Sequence, residues 1–167
     1  LLQNCHAQTL LSSTRLRRLR IYPRAKAMLN ASKTVILDCG DGHQLLGEFA
    51  TQAKRSKGIV TLIHGWEGNY FRICFNISNA GYDVFRLNLR DHGPSHHLNK
   101  ELFNSARLDE VIGAIKAIHA TYPHEWQFLA GFSLGGNFAL RVAAKAAEAD
   151  LNIQQTIGIC PVVDPAK

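Results

Sequence analysis

The stretch Ala130-Gly131-Phe132-Ser133-Leu134-Gly135-Gly136 decides how the rest of the chain is read. Ahead of it, Trp126-Gln127-Phe128-Leu129-Ala130 is apolar enough for a buried strand. Behind it, residues 137–147 are rich in helix formers. A G-x-S-x-G pattern at a strand-to-helix junction forces its serine into a sharp, strained turn that lifts the hydroxyl above the sheet. Gly131 and Gly135 suit such a turn because the strand and helix backbones pass too close for a Cβ. The helix then points N–H groups without helical partners at the serine. The N–H of Leu134 is placed to meet a developing oxyanion. Three fixed positions recur by chance in about one chain in twenty of this size. The weight therefore rests on the placement between strand and helix patterns, and the competing reading is a Gly-rich helix start without chemistry.

Length and composition bound the rest. At 167 residues the chain suits one domain with a real core. An apolar content of 46% against 19% charged residues marks a globular chain rather than a disordered one. No apolar run approaches the ~18 residues of a membrane-spanning helix. The chain begins at Leu1 and shows no signal-peptide pattern. Cys5, Cys39, Cys74 and Cys160 are far apart, with neither C-x-x-C nor zinc spacing. Reduced thiols in a cytoplasmic protein are the expectation. The net charge is +6, and Arg15, Arg17, Arg18, Arg20, Arg24 and Lys26 crowd one segment. This 15–26 stretch is a candidate for peripheral contact with an anionic membrane, against the plainer reading of a solvated face. Without aromatic interleaving or a nucleic-acid motif, no nucleic-acid partner is expected.

The order of elements follows from periodicity. Residues 1–30 read as an extension lying over the core. Residues 34–38 form a short strand, Asp41-Gly42 a hairpin turn, and residues 44–50 the returning strand. Ile59-Val60-Thr61-Leu62-Ile63 is a β-branched run suited to a central parallel strand buried on both faces. Tyr70, Ile73, Cys74, Ile77 and Ala80 repeat at helical spacing, and Gly81 stops that helix. Residues 82–89 alternate like a strand. Leu108, Val111, Ile112, Ile115 and Ile118 make one helical stripe, with Asp109 and Glu110 in the dipole-favoured first turn and Pro123 beyond its end. Residues 156–160 give another buried-strand pattern. This β-β-β-α-β-α-β-α-β order predicts an α/β fold, a mostly parallel sheet with helices on both faces.

Other polar residues compete for a role. His64-Gly65-Trp66-Glu67-Gly68-Asn69 follows a central strand, at the sheet edge where open α/β folds place ligands. The N–H of Trp66 is the candidate second oxyanion donor, and His64 reads as a hydrogen-bonding anchor of that loop rather than as a catalytic base. Asp91 and His92 are adjacent, and neighbours in sequence rarely aim at one proton, so they read as parts of a hydrogen-bonded loop. His96 and His97 have no further ligand at metal spacing. No cofactor or metal is expected.

Four runs carry a resemblance to a known family: residues 4–10 (NCHAQTL), 64–68 (HGWEG), 90–99 (RDHGPSHHLN) and 131–137 (GFSLGGN), with 160–165 (CPVVDP) extending it. With them the chain resembles the YheT-like branch of the α/β-hydrolases, a group of esterases and lipases, over nearly its whole length. Cys5 and Ala7 depart from the branch's usual P-H-L-Q-T-L run. The resemblance implies Ser133 as nucleophile and Trp66 and Leu134 as oxyanion donors. It divides the chain into a basic extension, residues 1–32, and the N-terminal portion of an α/β-hydrolase domain, residues 33–167.

The larger departure concerns the triad. In this fold an acid and then a histidine follow the serine. Here His124 is the last histidine, and the acids after Ser133 are Glu148, Asp150 and Asp164. Asp164 stands one strand too early for the family's acid. The expectation is an α/β-hydrolase core lacking its C-terminal part, a fragment or a truncated product. Two functions follow: a serine hydrolase of small-molecule carboxylic esters or acylglycerols acting through an acyl-enzyme, or a non-catalytic binding module on the same scaffold.

Overall fold

The computed structural model describes residues 23, 25–65 and 71–163. Trp66, Asp164, Cys5 and all of the basic 15–26 stretch except Ala25, Lys26 and Pro23 lie outside the described residues. Residues 25–31 are helical and end where the N–H of Ser32 reaches the carbonyl of Leu29. The strands are β1 (Lys33–Asp38), β2 (Gln44–Ala50), β3 (Ile59–Ile63), β4 (Asp83–Leu87), β5 (Gln127–Phe132) and β6 (Gln155–Ile159). The helices α1 (Phe71–Asn79), α2 (Leu108–Thr121) and α3 (Leu134–Ala144) follow β3, β4 and β5 respectively.

The six strands form one sheet in the order β1-β2-β4-β3-β5-β6. The β1–β2 hairpin and the β2–β4 pair are antiparallel, and the β4–β3, β3–β5 and β5–β6 pairs are parallel. The hairpin turns through Gly40, Asp41 and Gly42, all at positive φ. This is the left-handed backbone that the Asp-Gly pair favours. The sheet is thus mostly parallel, as the alternation of strands and helices predicts.

Why β3 is apolar at every position but Thr61 is clear from its two faces. Ile59 and Ile63 join Phe85, Leu87 and Leu129 in the larger core, which packs against Val111, Ala114, Ile115 and Ile118 of α2 and Phe138 and Val142 of α3. Leu62 faces the other way with Val84 and Ala130, against Cys74 of α1 and, from the N-terminal helical segment, Met28. Successive side chains of a strand point to opposite faces, so a central strand needs apolar residues on both.

Strand β6 departs from the buried-strand reading. Ile157 is 50% exposed. The strand stands at the end of the sheet order, so on one side it has no neighbour among the described residues. An open apolar groove of about 470 Å³ runs along its face toward Ile73 and Ile77 of α1. Two other boundaries move. The serine strand continues to Phe132, two residues beyond its apolar core, and α3 begins at Leu134 rather than at Asn137. Both shifts bring strand and helix flush against Ser133.

Candidate functional site

The site is built where β3, β5 and β6 end. The register pairs Ile63 with Gly131 and Phe132 with Ile159, so the turn after β3, Ser133 and the turn after β6 come together at the carboxyl edge of the sheet. Ser133 is the single residue between β5 and α3. It is exposed, with φ 50° and ψ −114°. A non-glycine residue in such a conformation carries about 1–3 kcal/mol of strain. The fold holds it there by backbone bonds: the N–H of Ser133 donates to the Ile159 carbonyl at 2.9 Å, and its carbonyl accepts from the N–H of Asn137 at 3.0 Å.

The glycines make this junction possible. A Cβ on Gly131 would stand 2.1 Å from the Gly135 carbonyl oxygen, and one on Gly135 would stand 2.3 Å from the His64 carbonyl oxygen. Those distances lie inside van der Waals contact, so strand, helix and neighbouring loop meet only without side chains. Leu134, the first residue of α3, presents its N–H at the helix N-terminus, where the intrahelical ladder supplies no acceptor. The partial positive charge of that terminus favours anions at Ser133.

The loop after β3 lies against the same point. A methyl placed on Gly65 would sit 3.3 Å from Cβ of Ser133. His64 is 4% exposed, and its ring ties the loop to the end of β4. Nε2 accepts the N–H of Leu89 at 3.0 Å, and Nδ1 faces the carbonyl of Gly65. Both bonds are satisfied by a neutral ring carrying its proton on Nδ1. Burial holds the pKa below the ordinary 6.5, which favours that neutral form. His64 is thus an anchor of the loop. Trp66, the other expected donor, lies outside the described residues.

The run after β4 is a hydrogen-bonded loop. Asp91, at φ 58°, accepts the N–H of Phe103, and Nδ1 of His92 donates to the Arg90 carbonyl at 2.7 Å. Beneath them Arg90, 1% exposed, donates through Nε and Nη2 to one carboxylate oxygen of Glu110, at 3.0 and 2.6 Å. Its Nη1 donates to the Glu101 carbonyl at 3.0 Å. The sequence places Glu110 as a first-turn acid of α2, and the structure gives it a buried cation as partner. The sequence signal for this buried pair is an arginine standing between an apolar strand and a polar turn. His96 and His97 are both exposed.

Two further features escaped the sequence. Asn137, in the helix after the serine, donates to the Val162 carbonyl at 2.7 Å and ties the turn beyond β6 to the elbow. At the opposite edge of the sheet, Asp83 pairs with His124 at 2.9 Å and accepts the N–H of Gln52 at 2.7 Å. That pair is remote in the fold from Ser133 and braces the loops that enter β3, β4 and β5. Buried Cys39 and Cys74 are inert thiols, each with its pKa pushed up to about 12 by burial.

The fold that presents this serine has counterparts in other proteins. The family described as alpha/beta hydrolase fold matches residues 58–167. Among solved structures, an esterase of Pyrococcus furiosus is 23% identical with a TM-score of 0.64, over 78% of this chain and 51% of that one. A Xanthomonas campestris α/β serine hydrolase without lid is 21% identical with a TM-score of 0.63, over 81% and 64%. An esterase of Pyrobaculum calidifontis is 18% identical with a TM-score of 0.67, over 93% and 53%. The chain therefore spans between about half and two-thirds of the length of these structures, and their likeness is one of fold. No curated protein matches it. With two-thirds of its length inside the family match, and with Ser133 at the strand-to-helix elbow of a mostly parallel sheet, this chain belongs to the α/β-hydrolase family.

Proposed function

We propose that this chain carries the nucleophile and the oxyanion site of a serine hydrolase acting on carboxylic esters. The observation that carries the reading is the conformation of Ser133. Its backbone sits at φ 50°, ψ −114° with the side chain exposed, directly before the N-terminus of α3. Strain of this kind persists where a function needs the residue displayed.

In this reading Oγ of Ser133 attacks the ester carbonyl carbon while a general base takes its proton. The carbonyl oxygen becomes an oxyanion that accepts hydrogen bonds from the N–H groups of Leu134 and Trp66. Collapse of the tetrahedral intermediate breaks the ester C–O bond. The alcohol leaves with the proton, and the acyl group remains on Ser133 until water hydrolyses it. His64 does not serve as the base, because both its ring nitrogens hold backbone groups. No histidine follows Ser133 in the sequence. The reading therefore takes the base and its acid from outside these 167 residues. Small-molecule esters or acylglycerols are the proposed substrates. Within the family, the 90–99 run supports a place in the YheT-like branch. The basic 15–26 stretch supplies peripheral contact with anionic membrane; among the described residues no helix is long and apolar enough to cross one.

Labelling with a fluorophosphonate probe tests the central claim. The protein bearing a complete triad is expected to label, and Ser133→Ala to abolish it. A triad-bearing protein that stays unlabelled favours the second reading, a non-catalytic binding module on this scaffold.

A further inference from the structure

Two strained residues meet at the elbow. Ser133 stands at φ 50°, and Cys160, the first residue after β6, stands at φ 46°. Both are exposed, and neither is glycine. Left-handed backbone at such residues persists where the surrounding structure over-determines it. The ties that do so run between the elbow and the turn beyond β6. The N–H of Ser133 donates to the Ile159 carbonyl at 2.9 Å, and the N–H of Val162 reaches back to the Ser133 carbonyl at 3.4 Å. Pro161 closes over the start of α3, where a Cβ on Gly136 would stand 3.2 Å from Cβ of the proline.

Asn137 joins the two sides. Its backbone N–H holds the Ser133 carbonyl at 3.0 Å, while Nδ2 donates to the Val162 carbonyl at 2.7 Å. Its amide is oriented for that bond. Oδ1 accepts from Nη1 of Arg141 at 3.4 Å, and the same Nη1 donates to the Ser105 carbonyl at 2.7 Å. A guanidinium has no acceptor, so it selects the oxygen of the amide and leaves the NH2 group facing the Val162 carbonyl. A carboxamide serves both neighbours, and a carboxylate, which cannot donate, serves one.

We propose that Asn137 is a positioning residue that clamps the 160–163 turn onto the elbow and thereby holds Ser133 in its strained conformation. This deepens the reading of Ser133 as nucleophile and rests on it. The route is short. Val162 stands three residues beyond Ile159, so a turn fixed at Val162 keeps the Ile159 carbonyl over the Ser133 N–H. With the turn released, that N–H loses its acceptor, and the backbone relaxes from φ 50° and carries Oγ away from its displayed position. Asn137 is itself half-buried, so replacing it leaves the core intact.

The test is amide hydrogen exchange by NMR on the full chain, comparing wild type, Asn137→Leu and Asn137→Asp. In both variants the Ser133 N–H is expected to exchange about fivefold faster, the weight of one hydrogen bond, while the amides of the β5–β6 ladder keep their protection. Unchanged exchange at Ser133, or an equal acceleration along the whole ladder, overturns the proposal. If Asn137→Leu does not fold, Asn137→Asp carries the comparison, since it keeps an acceptor for Arg141 and loses the donor to Val162. The second arm is fluorophosphonate labelling in a triad-bearing protein, with the saturating rate separated from the half-saturating probe concentration. A fall of about tenfold in the saturating rate at unchanged half-saturation is expected, below the roughly 10²-fold loss that a 1 Å misplacement brings. Equal rates, or a change in half-saturation alone, overturn the clamp. A wild type that never labels refutes the nucleophile reading instead, while the exchange comparison still decides whether Asn137 holds Ser133.

Discussion

Gly135→Ala is the sharpest test of the packing at the elbow. The added methyl would meet three backbone atoms at once: the His64 carbonyl oxygen at 2.3 Å, the Ile63 carbonyl oxygen at 2.4 Å and the Ile63 carbonyl carbon at 2.7 Å. Backbone at the end of a central strand cannot swing aside like a side-chain tip. Relief therefore requires α3 and β3 to separate by about 1 Å. Overpacking of this kind costs about 1–3 kcal/mol, and three backbone contacts put it near 3. Alanine returns up to ~1 kcal/mol through helix propensity. The expected net loss is about 2 kcal/mol. With a urea m-value near ~2 kcal/mol/M, the denaturation midpoint should fall by about 1 M. The same separation moves the 64–65 turn from Ser133, and a 1 Å misplacement at a reacting centre costs roughly 10²-fold in rate. Gly136→Ala is the matched control. Its methyl would meet the Gly131 carbonyl oxygen at 3.1 Å and Cβ of Pro161 at 3.2 Å, which need only a small adjustment. Its stability should stay within about 0.5 kcal/mol of wild type. If urea midpoints and fluorophosphonate labelling rates do not separate Gly135→Ala from Gly136→Ala, the close approach of strand and helix is not what holds the elbow.

Other expectations follow from the same geometry. Ser133→Gly should remove the strain at φ 50° and gain about 1 kcal/mol after the entropy cost of glycine, a rise of roughly 2–4 °C in Tm, while labelling is lost; a lower Tm would place the strain elsewhere. Arg90→Met leaves Glu110 as a buried, unpaired charge and should cost about 3–5 kcal/mol in urea denaturation, whereas Arg90→Met with Glu110→Leu should recover most of that loss. Stability should also fall in acid. Burial holds the pKa of His64 below 6.5 and lowers that of His119 to about 4. The unfolded chain therefore binds more protons than the folded one, so stability is complete above pH 6.5 and drains away as pH falls toward about 4. His119→Gln should flatten urea midpoints across that window, and an unaltered slope would show that His119 does not contribute.

What the sequence discloses and what it conceals divide along a physical line. Strands β3 and β4 and helix α2 are legible because burial imprints a period on neighbouring residues, and G-x-S-x-G is legible because a backbone crossing demands glycine at fixed offsets. Polar partnership leaves no such imprint. Glu110 lies at a helix start where any acid would satisfy the dipole, and only the packing of α2 beneath the β4 loop reveals Arg90 as its partner. Asp83 and His124 are likewise brought together by the parallel alignment of β4 and β5 on either side of β3, which no window of either stretch contains. Strand β6 fails for a related reason: its apolar run is the same whether or not a neighbour covers it, and the sheet order decides that Ile157 stands half-exposed. The 90–99 run combines both cases. Its composition announces a turn, which it is. Its place in the site depends on the register that sets Ile63 beside Gly131, because only then does the turn that His64 ties to Leu89 lie against Ser133. A serine can thus be located from seven consecutive residues, while the groups that aim the chemistry at it are fixed by contacts that exist only after the sheet has closed.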